Sequence, residues 1–565
     1  MLKNIKKFLN TNIFFLILLT IVVFSLYGKS INFKETGLDD AKLIKNNINF
    51  ISDYKNIPKL FIMSPFYDNF TTYYRPMLSV SFAVEAFFVR DNLKLYHITN
   101  IILFILSLYL FYLFCLELKL NSIITKFVLL IIAVHPMFVS VVVWIPGRND
   151  SLLTLFFISS FMFFIRYLNT QKIIYAFLFG LFFVLSLFTK ETCILLIPLY
   201  FIYLFLYEYK ISKKNIAYLF VSLVPFVLIF FILRNISVET FGYQYYIMNI
   251  NKIFLCFVKE SFIYFYNFFV PEYIPIMLFN ASLSLKVILY NCLFIFITIF
   301  LLYKKMISIK VFVFSLLMIL LSLFPTFFAK ENIYLNHRFF ICSLGFLIIF
   351  VLLLDYLVKK INKMKIIFIL FFFICFIGLF FSSYKYEDKY ENDESFWINA
   401  YIDSPNYYVS CQRLSKIYLS RGDIEKAKYY MEKAINLKST FRTLIDYANF
   451  LIAKGDLEEA EAALLQLETD MKKGKDVVYY PLSIIYYKKE DYKKAEYYAL
   501  MAYEMKPYDI NYSEQLIKIY DVTESYDKEL KIYEKLLGYD KKNSDYKNKI
   551  NELKEKINNR KVKNA

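Results

Sequence analysis

The sequence predicts an all-α protein in two parts: a polytopic helical membrane domain of about eleven transmembrane helices, then a soluble α-solenoid. Three observations predict it. Apolar runs of roughly 17–22 residues recur through the first two thirds of the chain, each long enough to cross a bilayer. The loops between them alternate between basic and mixed-charge composition. After about residue 384 the chain turns charged and Tyr-rich, and segments of about 34 residues recur.

Composition sets the frame. Of 565 residues, 58% are hydrophobic, against about 45–50% in ordinary soluble chains. Net charge is +18, but many of the lysines sit between apolar runs. That reads as membrane topology, with no nucleic-acid partner implied. Five of the seven cysteines (Cys115, Cys193, Cys292, Cys342, Cys375) fall inside apolar runs, where a small hydrophobe is the default reading. No CxxC or Cys/His cluster points to a metal or a disulfide framework. No cofactor is called for, and a divalent metal has no support in the sequence.

The apolar runs lie near 11–28, 97–118, 123–145, 151–168, 172–189, 191–208, 216–233, 286–303, 309–328, 339–358 and 364–383. The first follows Lys3, Lys6 and Lys7 and has no small-residue cleavage site after it, so it reads as a retained helix. With the N-terminus in the cytoplasm, every second loop should be basic. Lys119 and Lys126, Lys172, Lys210 with Lys213 and Lys214, Lys304 with Lys305 and Lys310, and Lys359, Lys360, Lys363 and Lys365 follow that rule. The longer loops 29–96 and 234–285 fall on the opposite side. Segment 253–280 is apolar but carries Lys259, Glu260 and Glu272, a costly set for a span, and reads as an interfacial or re-entrant helix. An odd number of spans then places the C-terminal domain outside the cytoplasm, in the periplasm or an equivalent lumen. The resulting division is 1–28 first helix, 29–96 first outer loop with amphipathic or interfacial helices, 97–383 multi-span domain, 384–404 linker, 405–541 repeats and 542–565 a basic capping helix.

Within the repeats, Leu414–Tyr418, Gly422-Asp423 and Ala427 align with Tyr447-Ala448, Gly455-Asp456 and Ala460, then with Ile484–Tyr486, Glu490-Asp491 and Ala495. Small residues at those places let two antiparallel helices approach, and Gly-Asp marks the turn. The pattern resembles the tetratricopeptide repeat. A fourth, degraded copy spans about 509–541.

Candidate chemistry lies in the loops assigned to the outer side. Asp39-Asp40 follows the first helix; one carboxylate can take the proton of an acceptor hydroxyl while its neighbour orients it. The competing reading is a helix cap with a first-turn acid. Tyr74-Arg75-Pro76 precedes an apolar segment, then His97 and Asn100 share one helix face. His135-Pro136 interrupts the third run and leads to Trp144, Gly147, Arg148 and Asp150, and Lys190-Glu191 sits at a helix junction. The late loop runs Lys330-Glu331-Asn332 to Asn336-His337-Arg338. Arg75, Arg148, Lys190 and Arg338 thus fall on one predicted membrane side with Asp39, Asp40 and Asp150. A cation cluster there suits a lipid-linked phosphate that needs its charge stabilised as it leaves.

These ordered motifs, with the C-terminal repeats, resemble the transmembrane and tetratricopeptide repeat proteins, membrane glycosyltransferases of the GT-C superfamily. The resemblance covers nearly the whole chain. It implies an inverting transferase that moves a hexose such as mannose from a polyprenyl-phosphate donor to a protein or glycan acceptor, at the outer face of the inner or plasma membrane. Asp39 and Asp40 become the base and its partner. Arg75, Arg148, Lys190 and Arg338 become contacts to the donor phosphate and lipid, with His97, Asn100, His135, Asp150 and Glu191 in support. The repeats would bind the acceptor or a partner protein. Asn336-His337 departs from the family's pattern, which has Pro-Ser there. A membrane-anchored scaffold for envelope assembly and a glycan polymerase or ligase are the competing readings.

Overall fold

A computed structural model describes residues 11–66, 73–209, 212–237, 250–272, 274–279, 283–304, 308–325, 333–360, 365–471, 474–507, 509–539 and 544–564. Lys3, Lys6, Lys7, Lys210, Lys305, Lys330, Glu331, Asn332 and Lys363 lie outside the described residues. The chain divides into two compact units, 1–404 and 405–565. It is helical throughout, apart from one ladder in which Leu278–Phe279 pairs antiparallel with Ile333–Tyr334.

In their described residues, all eleven apolar runs form helices. Among the described residues, six helices are long and apolar enough to cross a membrane: Asn12–Asn32, Leu93–Glu117, Ile145–Thr170, Lys213–Ser237, Asn336–Lys360 and Ile369–Tyr390. Pro136 breaks the third run, and its halves Ser122–Ala133 and Pro136–Val142 meet at 62°. Proline cannot donate the helix hydrogen bond and clashes with the preceding turn. His135 caps the second half, its Nδ1 accepting from the Met137 N–H at 3.2 Å. Ile173–Thr189, Glu191–Leu206, Leu285–Phe300 and Ile309–Leu323 are apolar but shorter. The charged helix Ile250–Phe269 is not among the spanning-length helices.

Helices in this unit cross closely where a side chain is missing. A Cβ on Gly180 would stand 1.8 Å from the Ser222 carbonyl oxygen, and one on Gly345 would stand 2.6 Å from that of Ser315. Small residues at such crossings let apolar helices gain dispersion contact without a hydrophobic drive from water. By contrast, the exposed face of Lys213–Ser237 carries Phe220, Val221, Leu228 and Ile232, as a lipid-facing helix would.

Segment 384–404, expected as a linker, is helical and packed instead. The turn Glu387–Tyr390 and the helix Asp393–Asp403 belong to the first unit and bury Tyr390, Phe396, Trp397 and Ala400. An apolar stripe supplies the reason: Phe396, Trp397 and Ala400 share one face of the helix Asp393–Asp403.

The second unit contains four successive helical hairpins: Tyr408–Ser420 with Ile424–Leu437, Phe441–Lys454 with Leu457–Asp470, Asp476–Lys488 with Tyr492–Met505, and Ile510–Val522 with Tyr526–Tyr539. The helix Ser544–Asn564 follows. One turn recurs in all four. The N–H of Asp423, Asp456, Asp491 and Ser525 donates to the carbonyl five residues back, at 2.8–3.0 Å. The residue before it is left-handed: Gly422, Gly455, Glu490 and Glu524. This is the αL helix stop that glycine fills at least cost. Ala427, Ala460 and Ala495, four residues past the turn, are fully buried in the hairpin seams.

Candidate functional site

The first loop separates the two adjacent carboxylates. Asp40 opens the one-turn helix Asp40–Leu43, and Asp39 stands at its N-cap without making a side-chain cap bond. The Asp40 carboxylate turns back to Thr36, accepting from its N–H at 2.6 Å and from its hydroxyl at 3.1 Å. Asp40 is 2% exposed, whereas Asp39 is half-buried. Burial pushes the Asp40 carboxyl up to about 6, against the pull of the Thr36 bonds; the nearby Asp39 charge adds to the rise. The helix Asp40–Leu43 packs on the turn Ile145–Gly147. Leu43, Ile44, Ile51 and Leu60 complete an apolar layer with Phe82, Tyr96 and Ile145. The first loop is therefore seated on the Trp144–Arg148 motif.

That turn needs Gly147. A Cβ there would lie 2.2 Å from the Ser140 carbonyl oxygen, a backbone atom that cannot step aside. The Asn100 amide holds the same turn from beneath, donating to the carbonyls of Val142, Trp144 and Ile145, each at 3.1 Å.

Arg148 does not occupy the place expected of a donor-phosphate contact. Its side chain is 0% exposed and its donors are spent on protein. Nε bonds Asn100 Oδ1 at 2.7 Å, Nη1 pairs with Glu85 at 2.7 Å, and Nη2 donates to the Tyr96 carbonyl at 2.8 Å. The guanidinium also lies over the Phe82 ring, 4.6 Å from its centroid. Asp150 turns the other way and pairs with Lys190 at 2.8 Å. Both residues sit on the helix Arg148–Thr170 two positions apart, where side chains face opposite sides. Likewise Lys190 and Glu191 do not pair with each other; Glu191 takes Arg234 at 2.9 Å.

Around the Asp150–Lys190 pair the structure gathers cations. Arg75 and Arg338 both act on Lys190 electrostatically. Burial pulls the Lys190 ammonium below its ordinary value; Asp150 opposes that, and the two guanidiniums reinforce it. His337 lies among the same groups, its ring 5.1 Å from Trp144. Arg75 and Arg338 have no ion-pair partner among the described residues, although Arg338 Nη1 donates to the Ile333 carbonyl at 2.9 Å. Among the described residues, Asp150 pairs with Lys190 in this group, and Glu191 pairs with Arg234 and lies near Arg75.

The remaining expected residues serve the frame. His135 Nε2 bonds the Phe268 carbonyl at 3.0 Å and its ring stacks on Phe268. His97 is buried with its ring beside the Phe33 backbone. Sequence reasoning missed Glu85, Arg234, Thr36 and His337 as parts of the site. Glu85 carried a signal, since a lone carboxylate inside an apolar run marks a paired or functional site. Arg234, at the end of an apolar run, carried a weaker one. Among the described residues, no three His, Cys, Asp or Glu side chains gather to hold a metal.

Fold and site together define a class: an all-helical protein with several helices of membrane-spanning length, bearing a buried carboxylate loop and a cation cluster. Comparison with known proteins finds no family model that matches the chain, and no curated protein that matches it.

Proposed function

We propose that the chain is a membrane glycosyltransferase that takes a sugar from a polyprenyl-phosphate donor and passes it to a protein or glycan acceptor outside the cytoplasm. The observation that carries the reading is the gathering of Arg75, Lys190 and Arg338 in a site whose neighbouring first loop carries two adjacent carboxylates. A phosphate monoester leaving a sugar gains negative charge at the bridging oxygen, and preorganised cations stabilise it. Asp39, the more accessible carboxylate, takes the acceptor hydroxyl proton. The freed oxygen attacks C1, the C1–O bond to phosphate breaks, and the lipid phosphate leaves with the bond electrons. Configuration at C1 inverts. Asp40, held by Thr36, fixes the loop and keeps Asp39 oriented. Arg148 acts as a buried staple under the site and not as a donor contact.

The same reading takes all eleven apolar helices as spans, the shorter ones crossing with help from their capping turns. It takes the four hairpins as a tetratricopeptide-type solenoid. Such arrays offer an extended concave surface for a polypeptide, so the second unit recruits acceptor or partner protein. Alternating loop charge supports a cytoplasmic N-terminus and an outer location for both the first loop and the hairpins.

The test is mass spectrometry of envelope proteins and glycans from cells carrying the wild-type chain or Asp39→Asn/Asp40→Asn. Loss of one hexose-bearing species in the double variant is expected, with the variant present in the membrane at normal level. Unchanged glycosylation in that variant sinks the enzymatic reading. If deletion of 405–565 alone then reproduced the phenotype of losing the whole chain, a scaffold role would replace it.

A further inference from the structure

The segment after the last apolar helix makes contacts that its position in the sequence gives no reason to expect. It holds the first loop along its length. Lys29 places its ammonium against the Tyr384 carbonyl, Asp388 at 2.9 Å and Glu387 at 3.1 Å. The Lys34 N–H donates to the Glu391 carbonyl at 2.8 Å. At Gly37 the backbone is left-handed (φ +66°), and a Cβ there would meet Asp393 Cβ at 3.5 Å and Trp397 Nε1 at 3.7 Å. Trp397, 1% exposed, is the largest fully buried side chain.

The same segment also grips the loops on the cation side. Tyr386 donates to the Pro275 carbonyl at 3.0 Å, and Asn336 donates to that same carbonyl. The Phe279 N–H donates to Ser404 Oγ at 2.9 Å, while Ser404 donates to the Met277 carbonyl at 3.1 Å. Phe279 is paired in the short ladder with Ile333, whose carbonyl holds Arg338. One helical segment therefore fixes both the carboxylate loop and the strand pair that carries a site cation.

We propose that residues 384–404 form a positioning collar, in which Trp397 packed beneath Gly37 sets where the Asp39-Asp40 loop stands relative to the Arg338 loop. This rests on the glycosyl-transfer reading for its consequence in turnover, but not for its consequence in structure. Trp397 touches no reacting atom; it acts through the loop. The buried indole brings its Nε1 edge to Gly37, closing that side of the turn Thr36–Asp40 to water, and so supports the hydrogen bonds that Thr36 gives Asp40. Removing it lets water reach the Asp40 carboxylate and lets the loop drift. Displacements of about 1 Å in such a constellation can cost about a hundredfold in rate.

The test uses the full chain in nanodiscs. The Asp40 carboxyl band in infrared titration, identified by its loss in Asp40→Asn, reports the loop directly. In the wild type its midpoint should lie at about 6. Trp397→Ala should move that midpoint down toward the ordinary aspartate value of about 3.9, whereas Trp397→Phe should keep it. Gly37→Ala, which strains the left-handed backbone of the loop where it meets the collar, should shift it as well. In hexose transfer, Trp397→Ala should lower kcat by about a hundredfold with donor KM little changed, and Trp397→Phe should restore it. If Trp397→Ala fails to fold, the Gly37→Ala titration decides alone. An unmoved midpoint in a folded Trp397→Ala or Gly37→Ala chain overturns the collar. Retained transfer in Asp39→Asn would overturn the enzymatic reading instead, while leaving the titration result to stand.

Discussion

Replacing Glu529 should stabilise the protein. Residues four past the hairpin turn are Ala427, Ala460 and Ala495 in the first three hairpins; in the fourth, four past Ser525, stands Glu529. It is 1% exposed, and neither carboxylate oxygen has a hydrogen-bond partner. Burial raises its carboxyl above the ordinary range, Asp521 and Glu552 adding to the rise while Lys549 and Lys556 oppose it. An unpaired buried carboxylate costs about 3 kcal/mol. Against that relief, Glu529→Ala gives up one buried methylene, about 0.8 kcal/mol. It also gives up an acid in the first helical turn, about 0.3–0.5 kcal/mol. The net gain is roughly 2 kcal/mol, or about thirtyfold in the local opening equilibrium. Hydrogen exchange of the full chain near neutral pH should show that protection rise across 526–539. The folded carboxyl pKa is raised, so its penalty is complete above that pKa and gone below the unfolded value of about 4.3. The advantage of Glu529→Ala should therefore fade as pH falls to about 4. Glu529→Gln should capture part of the gain without the pH dependence. Lower protection in Glu529→Ala, or a gain independent of pH, would refute the reasoning and mean that Glu529 is paired in solution.

Other outcomes follow from the same structure. Arg148→Ala leaves Glu85 buried and unpaired and should cost about 3–5 kcal/mol, read as a large fall in the thermal midpoint in detergent; Arg148→Lys, lacking the planar fork, should not restore it. Arg75→Ala and Arg338→Ala remove cations that have no ion-pair partner among the described residues. They should therefore leave the thermal midpoint within a degree or so of wild type, while abolishing hexose transfer. Gly180→Val should prevent accumulation of folded protein in the membrane, because its side chain would collide with the Ser222 backbone. If transfer requires both first-loop carboxylates ionised, its rate should fall on the acid side with a midpoint of about 6, set by buried Asp40. The same raised carboxyl makes the folded chain lose stability as pH rises from about 4 through 6, so Asp40→Asn should flatten stability over that window.

Apolar run length, loop charge and the 34-residue recurrence were readable residue by residue because each is a local property of the chain. Where described, every apolar run is helical apart from the break at Pro136, and every hairpin turn falls where Gly-Asp or its counterpart stands. The convergence of Arg75, Lys190 and Arg338 was also legible, since helix ends on one side of a bundle must meet. Partner choice was not. Arg148 and Asp150 stand in one motif, yet they face opposite sides of a helix and find Glu85 and Lys190, each from a distant element. The collar 384–404 looked like a linker because its charges dominate its composition, while its apolar face is only a narrow stripe.

By itself, then, the sequence determined which stretches are apolar helices, where the chain changes from membrane-like to repeat-like, and which charged residues crowd the loop ends. Only the tertiary structure decided which of those charges are consumed. Desolvation forces each buried ion to find a counter-charge, and that partner can come from anywhere in the chain. Arg148 is closed into the fold by Glu85, whereas Arg75 and Arg338 keep their charge for something else. Pairing across sixty or more residues is a property of packing, and periodicity carries no record of it.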